Sequence, residues 1–276
     1  MYSPRDYWTN VAEDFGEADA EGFAPILHPQ TPTWFNRAID DVQFCALRRA
    51  ISLAAIPPGA QVLDVGCGTG RWLRRYGDVG FSPVGVDATI GMLRIAYAHR
   101  TTAPVAVGLA HSLPFSDAVF DAISSITVVQ HIPYEVQASA LREMIRVLRP
   151  GGRMILFELI RGQGSHVFPR QPRDWVREVE SLGADLIDWF GEEFFFPDRL
   201  LVGIVQALMR RRGDLVGQVQ SAATGSFSAE YSVPRRLYWH LRRITVSLSA
   251  WSEQFVARIF PPSLATHAVC VFRKKP

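Results

Sequence analysis

Residues 62–72 read VLDVGCGTGRW, with a carboxylate, Asp64, two positions ahead of three alternating glycines, Gly66, Gly68 and Gly70. An apolar run that ends in such glycines lets backbone approach a ligand closely, because glycine adopts positive φ cheaply and has no Cβ. The helix that follows offers free N–H groups and positive dipole character to a carboxylate or phosphate. A buried acid such as Asp64 can hold the loop through its amides, or meet a cationic ligand group. The dinucleotide fingerprint is G-x-G-x-x-G, whereas the spacing here is G-x-G-x-G. A second acid, Asp87 in GVDAT, closes the next predicted strand about twenty residues on, where a carboxylate accepts hydrogen bonds from ribose hydroxyls. Alone, Asp87 also reads as a helix N-cap. Behind the glycine loop it reads as nucleoside binding.

Three further side chains follow later predicted strands, at the carboxyl ends where open α/β sheets bind ligands. His131, in TVVQHIP, reads either as an acid–base group or as a histidine bonded to backbone. Glu158 reads as an acceptor-orienting carboxylate or as the partner of Arg161. His166, in the glycine-containing stretch RGQGSHVFPRQPRDW, reads as part of a flap or as an ordinary loop histidine. Tyr7, Trp8, Phe168, Trp175 and residues 194–196 supply aromatics that suit either an apolar, planar ligand or a core.

The elements that must position these groups follow from the apolar pattern. Buried strands are predicted at 61–65, 83–87, 105–108, 120–126, 153–159 and 185–189, alternating with helices at 70–76, 90–99, 134–148 and 172–183. Such alternation predicts a parallel sheet with helices on both faces. Residues 1–40, rich in aromatics and prolines, predict a cap of short helices and loops, and 36–55 a helix ended by Pro57-Pro58-Gly59. The stretch 190–262 breaks the alternation. It reads as helical and arginine-rich, with MRRRGD and YWHLRR, and Leu241, Ile244, Leu248, Trp251, Phe255 and Ile259 form one apolar helix face read chiefly as core. Residues 267–273 are a last strand that returns to the sheet edge.

Bulk properties remove several classes. The 276 residues are 48% hydrophobic and 20% charged, as in globular chains. No apolar run nears the roughly 18 residues of a membrane span, and no basic-then-apolar leader opens the sequence, so a cytoplasmic location is expected. The net charge of +2 divides into −3 over residues 1–160 and +5 over 161–276. That bias is read as a solvated basic face, with no nucleic-acid partner expected because no aromatic-plus-basic module appears. Lysine occurs only at Lys274 and Lys275, which removes pyridoxal Schiff-base, phosphate-loop and kinase chemistry. The three cysteines lie far apart and the seven histidines are scattered, so neither a disulfide framework nor a metal site is expected.

VLDVGCGTG, VGVDATIGML, SLPFSDAVFD, TVVQHIP and RVLRPGGRMILFE, in this order, closely resemble the class I S-adenosylmethionine-dependent methyltransferases, in the small-molecule branch that includes the quinone enzymes. The resemblance is strong over about residues 60–160 and fades beyond. It implies S-adenosyl-L-methionine as cofactor. Gly66, Gly68 and Gly70 would cradle the methionine portion, Asp64 would face its amino group, Asp87 would hold the ribose hydroxyls and Met92 would lie near the adenine. Ala110, His111 and Ser112 would border the adenine edge, and Cys67, Ala88 and Thr127 would complete the set. Many relatives carry an aspartate where this chain has Leu109, which cannot accept the adenine amino group.

The expected fold is a doubly wound, Rossmann-like α/β sheet of about seven strands. Its expected organisation is a helical cap at 1–55, the cofactor-binding core at 56–190, a helical insertion at 191–262 and a final core strand at 263–276. The expected activity is methyl transfer to a small molecule such as a secondary metabolite, quinone-like compound or glycan precursor, with an oxygen acceptor favoured. The competing classes are a cofactor-binding protein without turnover and a nicotinamide-dependent oxidoreductase. Nothing in the pattern sets an oligomeric state.

Overall fold

The computed structural model describes residues 2–15, 22–23, 26–28, 31–162, 164–211 and 235–276. Seven strands form one sheet: β1 (Gln61–Val65), β2 (Ser82–Asp87), β3 (Val105–Val107), β4 (Phe120–Ile126), β5 (Leu148–Leu159), β6 (Ala184–Glu192) and β7 (His267–Lys274). Their order is β3-β2-β1-β4-β5-β7-β6. The pairings from β3 through β5 are parallel, so each of these strands ends on the same edge of the sheet. The order reverses beside β1, which places the glycine loop at the topological switch point.

Two apolar layers sandwich the sheet. On one face, Val62 and Phe157 pack with Leu47 and Ala50 of α2 (Thr33–Ala54) and with Trp72 and Tyr76 of α3 (Arg71–Asp78). On the other, Leu63 and Ile123 pack with Leu141 and Met144 of α5 (Tyr134–Val147) and with Trp175 and Val179 of α6 (Pro172–Ser181). Alternate residues of one strand serve both layers, as the pleat requires. Between these helices in the chain lies α4 (Ile90–Ala98), whose Leu93 packs on Cys67 and Leu73. The N-terminal α1 (Pro4–Phe15) lies against α4. After β6 come α7 (Phe196–Arg211) and α8 (Arg235–Ile259). No helix among the described residues is long and apolar enough to cross a membrane.

Two expectations are corrected. The last strand does not return to the edge: β7 lies between β5 and β6 and is antiparallel to both. Its first six residues are all buried, which is why both sides of the strand and both of its faces can be covered. The apolar stripe of α8 is not core either. Leu248 is half-exposed, and Trp251 and Phe255 are 85% and 69% exposed. The buried side of the helix is the mixed one, where Trp239, Val246 and Ala250 pack on Phe35, Ile39 and Phe195. Its polar members are satisfied there: Arg242 Nε and Nη2 donate to the two oxygens of Asp198 at 3.1 and 2.6 Å. Of MRRRGD, residues 212–214 lie outside the described residues.

Because β7 closes the sheet from inside, truncating its fully buried Phe272 removes contacts in the main core. Phe272→Ala should cost about 3–5 kcal/mol, read as a lowered urea midpoint with unchanged slope.

Candidate active site

The chain after β1 turns back over the end of β2. Gly66 N and Cys67 N both donate to Val86 O, at 2.7 and 3.0 Å. Gly68 N donates to Asp87 Oδ2 and Thr89 N to Asp87 Oδ1, each at 2.9 Å. Gly66 sits at φ 70°, and a Cβ there would overlap the side chain of Val128. Burial pushes the Asp87 carboxyl above its usual range, against the pull of the two amides.

A cavity of about 790 Å³ opens at these strand ends. The expected residues Gly66, Cys67, Gly68, Asp87 and Ala88 line it on one side. Met92, Ala110, His111 and Thr127 border it further along, as does Leu109. Three of the expected residues do not line it. Asp64 is 1% exposed beneath the loop, where Ser124 Oγ donates to its Oδ1 at 2.9 Å and its Oδ2 has no partner. Burial pushes its carboxyl up to about 7. Gly70, at φ 72°, turns the chain into α3, and a Cβ there would overlap Thr101 Oγ1. Ser112 instead donates its N–H to Leu109 O, at 2.9 Å, across a bridge that shapes the cavity rim.

Glu158 does not face the cavity and does not meet Arg161, which reaches Ser263 O instead. It is fully buried and accepts four hydrogen bonds: from Ser125 Oγ at 2.8 Å, and from the amides of Val128, Val129 and Gln130 at 3.1–3.3 Å. These bonds pull its carboxyl down, yet burial still pushes it up to about 7. Its place is under the loop that follows β4, as the acceptor for amides that have no strand partner.

His131 and His166 do line the cavity, and their rings stack nearly parallel at 5.5 Å. Tyr7 of α1 stacks on His166 at 4.5 Å, and Trp8 meets His131 edge-on at 4.9 Å. His131 Nδ1 lies 3.0 Å from His166 O, an atom that can only accept, so Nδ1 carries the proton. Gln130 Oε1 accepts from Leu159 N at 2.6 Å, which leaves its amide nitrogen to donate to His131 Nε2 at 3.2 Å. Both ring nitrogens are thereby engaged, and burial pushes the imidazole pKa down to about 4. The ring is neutral and poorly disposed to take a proton from a ligand. His166 is also lowered by burial.

The wall away from the glycine loop holds residues that the sequence reading missed. Gln43 of α2, Glu193, Thr266 and His267 all line it. Gln43 Nε2 donates to Glu193 Oε1 at 2.5 Å, and Glu193 Oε2 lies 3.2 Å from His267 Nδ1. Burial raises the Glu193 carboxyl, but the neighbouring His267 and Gln43 outweigh it and hold the carboxyl below its ordinary value. Arg71, at the start of α3, also lines the cavity. Its Nη1 reaches Asp40 Oδ1 at 3.3 Å, while its buried Nε has no partner. The available signal was charged residues inside otherwise apolar stretches, Glu192-Glu193 after DWFG and His267 before AVCVF.

The engaged imidazole has a pH consequence. Its folded pKa of about 4 lies below the ordinary 6.5, so protonation favours the unfolded chain. The contribution is fully present above pH 6.5 and is lost as pH falls towards 4. His131→Asn, which takes up no such proton, should lose less stability than wild type over that interval, measured as thermal midpoint against pH.

The comparisons agree with this architecture. The methyltransferase domain family matches residues 63–156. Demethylmenaquinone methyltransferase of Renibacterium salmoninarum is 34% identical over 111 residues, 40% of this chain and 46% of that protein. The tRNA (carboxymethyluridine(34)-5-O)-methyltransferase alkbh8 of Xenopus tropicalis is 37% identical over 106 residues, 38% of this chain and 16% of that protein. The matched segment thus spans less than half the length of either relative. Among solved structures, the cyclase SpnF has a TM-score of 0.59 at 18% identity, covering 98% of this chain and 94% of its own. An S-adenosylmethionine-dependent methyltransferase from Archaeoglobus fulgidus has a TM-score of 0.52 at 18% identity, covering 85% and 94%. At such identities these two structures show the fold alone. Residues 63–156 match the methyltransferase domain family, and the glycine loop within them lies at the switch point of the sheet.

Proposed function

We propose that the chain transfers a methyl group from S-adenosylmethionine to a small, largely apolar acceptor. The observation that carries this reading is a single cavity joining the Gly66–Gly68 loop and Asp87 at one end to an apolar chamber at the other. The loop fits the cofactor because it brings bare backbone to the cavity at Gly66 and Gly68, and a Cβ at Gly66 would overlap Val128 and displace that wall. The second lone pairs of the Asp87 oxygens accept the ribose hydroxyls. Arg71, whose buried Nε has no partner among the described residues, would meet the methionine carboxylate, and Asp64, whose Oδ2 is likewise unpartnered, offers an acceptor beneath the loop. Met92, Ala88, Ala110, His111 and Thr127 border the purine and the reacting end. Leu109 offers apolar contact where an acid is usual, which leaves the purine edge to backbone groups and His111.

When bound, the cofactor supplies a methyl group on a sulfonium, a good leaving group, so that catalysis comes largely from alignment and exclusion of water. Alignment falls to the stacked His131 and His166 and to α1. Tyr2 OH donates to His131 O at 3.0 Å, and Tyr7 and Trp8 of α1 lie on the imidazoles. Leu27, Ile39 and Val11 close the apolar end. A helix across the mouth favours a small acceptor over a nucleotide within a folded RNA, the substrate class named for one of the relatives. An oxygen acceptor is favoured because the far wall carries a carboxylate and an imidazole, groups suited to the proton that an attacking hydroxyl sheds.

Isothermal titration with S-adenosylmethionine, S-adenosylhomocysteine and NADH tests the cofactor end. Micromolar binding of the first two and none of NADH is expected. Asp87→Ala should weaken that binding by about 1–3 kcal/mol, the loss of hydrogen bonds at a charged group. Absence of binding by both sulfur nucleosides in folded wild type overturns the reading. Turnover of labelled cofactor with a small-molecule extract but not with tRNA separates the acceptor classes.

A further inference from the structure

Glu192 and His267 are register partners across the antiparallel β6–β7 pair. In extended backbone, Glu192 and Glu193 would point to opposite faces. Glu193 instead has φ 58°, and this left-handed residue brings both carboxylates to one imidazole. One ligand atom from each of Glu192, Glu193 and His267 lies within 4.8 Å of the others. His267 Nδ1 is 3.2 Å from Glu193 Oε2 and 3.9 Å from Glu192 Oε2, and neither approach has hydrogen-bond geometry.

Polar atoms are left unsatisfied at this point, and burial pushes the Glu192 carboxyl well above its ordinary value. Glu192 is 2% exposed, and among the described residues both of its oxygens lack a hydrogen-bond partner. Neither neighbouring arginine hydrogen-bonds to it. Arg71 binds Asp40, and Arg199 donates to the backbone oxygens of Glu193 and Leu264 and to Thr266 Oγ1. A third buried acid, Glu253, accepts from the amides of Phe194 and Phe195. Buried carboxylates without partners are costly, and a bound cation satisfies them. Two carboxylate oxygens and one imidazole nitrogen form the donor set of a borderline divalent ion that keeps open positions.

We propose that Glu192, Glu193 and His267 bind a divalent transition-metal ion such as Mn²⁺ or Zn²⁺, with its open positions directed to the cavity that Glu193 and His267 line. The site stands on its own geometry and goes beyond the cofactor reading. A hydroxyl oxygen placed on such an ion loses its proton more readily, which would fit an oxygen acceptor.

The full chain, stripped with a chelator, is titrated with MnCl₂ and ZnCl₂ by calorimetry. One equivalent at micromolar or tighter affinity is expected, weakened about ten-fold or more in Glu192→Gln and in His267→Gln. Retained S-adenosylhomocysteine binding or a native circular dichroism spectrum reports folding of the variants. Electron spin-echo modulation of the wild-type Mn²⁺ complex needs no variant and should show a single coupled imidazole nitrogen. No saturable binding, affinity unchanged in both folded variants, or no nitrogen coupling overturns the site.

Discussion

Backbone amides that leave a strand need an acceptor, and around this cavity buried carboxylates supply it. Asp87 takes Gly68 and Thr89, Glu158 takes Val128, Val129 and Gln130, and Glu253 takes Phe194 and Phe195. Each carboxylate is buried and raised by that burial, so each site offsets a desolvation cost with several short-range bonds. Without the acceptors, three loops would each leave buried N–H groups unpaired, a penalty of roughly 1–3 kcal/mol per group. Two of these loops are therefore held from outside the cavity, by Glu158 and Glu253, which do not line it.

This arrangement separates holding from contact. Asp64 on β1 and Glu158 on β5, to either side of β4, stand beneath the floor, whereas Asp87 both anchors the loop and faces the cavity. Aromatic and imidazole rings line the roof. The stack of Tyr7, His166 and His131 spans three segments of chain, and its neutral imidazoles tolerate close packing that cations would resist. Electrostatic character changes along the cavity, from amides and Arg71 at the glycine loop to carboxylates at the opposite wall.

Local spacing made the glycine-loop end of the cavity legible. Gly66, Gly68 and Asp87 announce themselves because positive φ and a strand-ending acid are properties of a few adjacent residues. Gly70 and Ser112 belong to the same motifs but turn the chain or shape the rim, since a motif specifies a loop and not which of its members face inward. Glu158 and His131 carry the residue types of catalysis, and only tertiary contacts show that one ties amides and the other has both nitrogens engaged. The far wall was illegible for a related reason: Glu193 and His267 are distant in sequence and meet only because β7 enters beside β6. For α8, periodicity located a helix face correctly but could not say which face the body of the protein covers. Arg242 and Glu253 make the mixed face the better partner, through Asp198 and the turn after β6.

The position of β7 also bears on how the chain is made. Among the described residues strand β6 pairs only with β7, and β5 needs β7 on one flank. During synthesis, β6 emerges long before its neighbour, with Phe190 and the paired acids that follow it unsheltered. The five strands from β3 to β5 can assemble as they leave the ribosome, but the far wall exists only after residue 274 has been added and threaded inward. The glycine-loop end and the far wall of the cavity thus mature at different times on a nascent polypeptide.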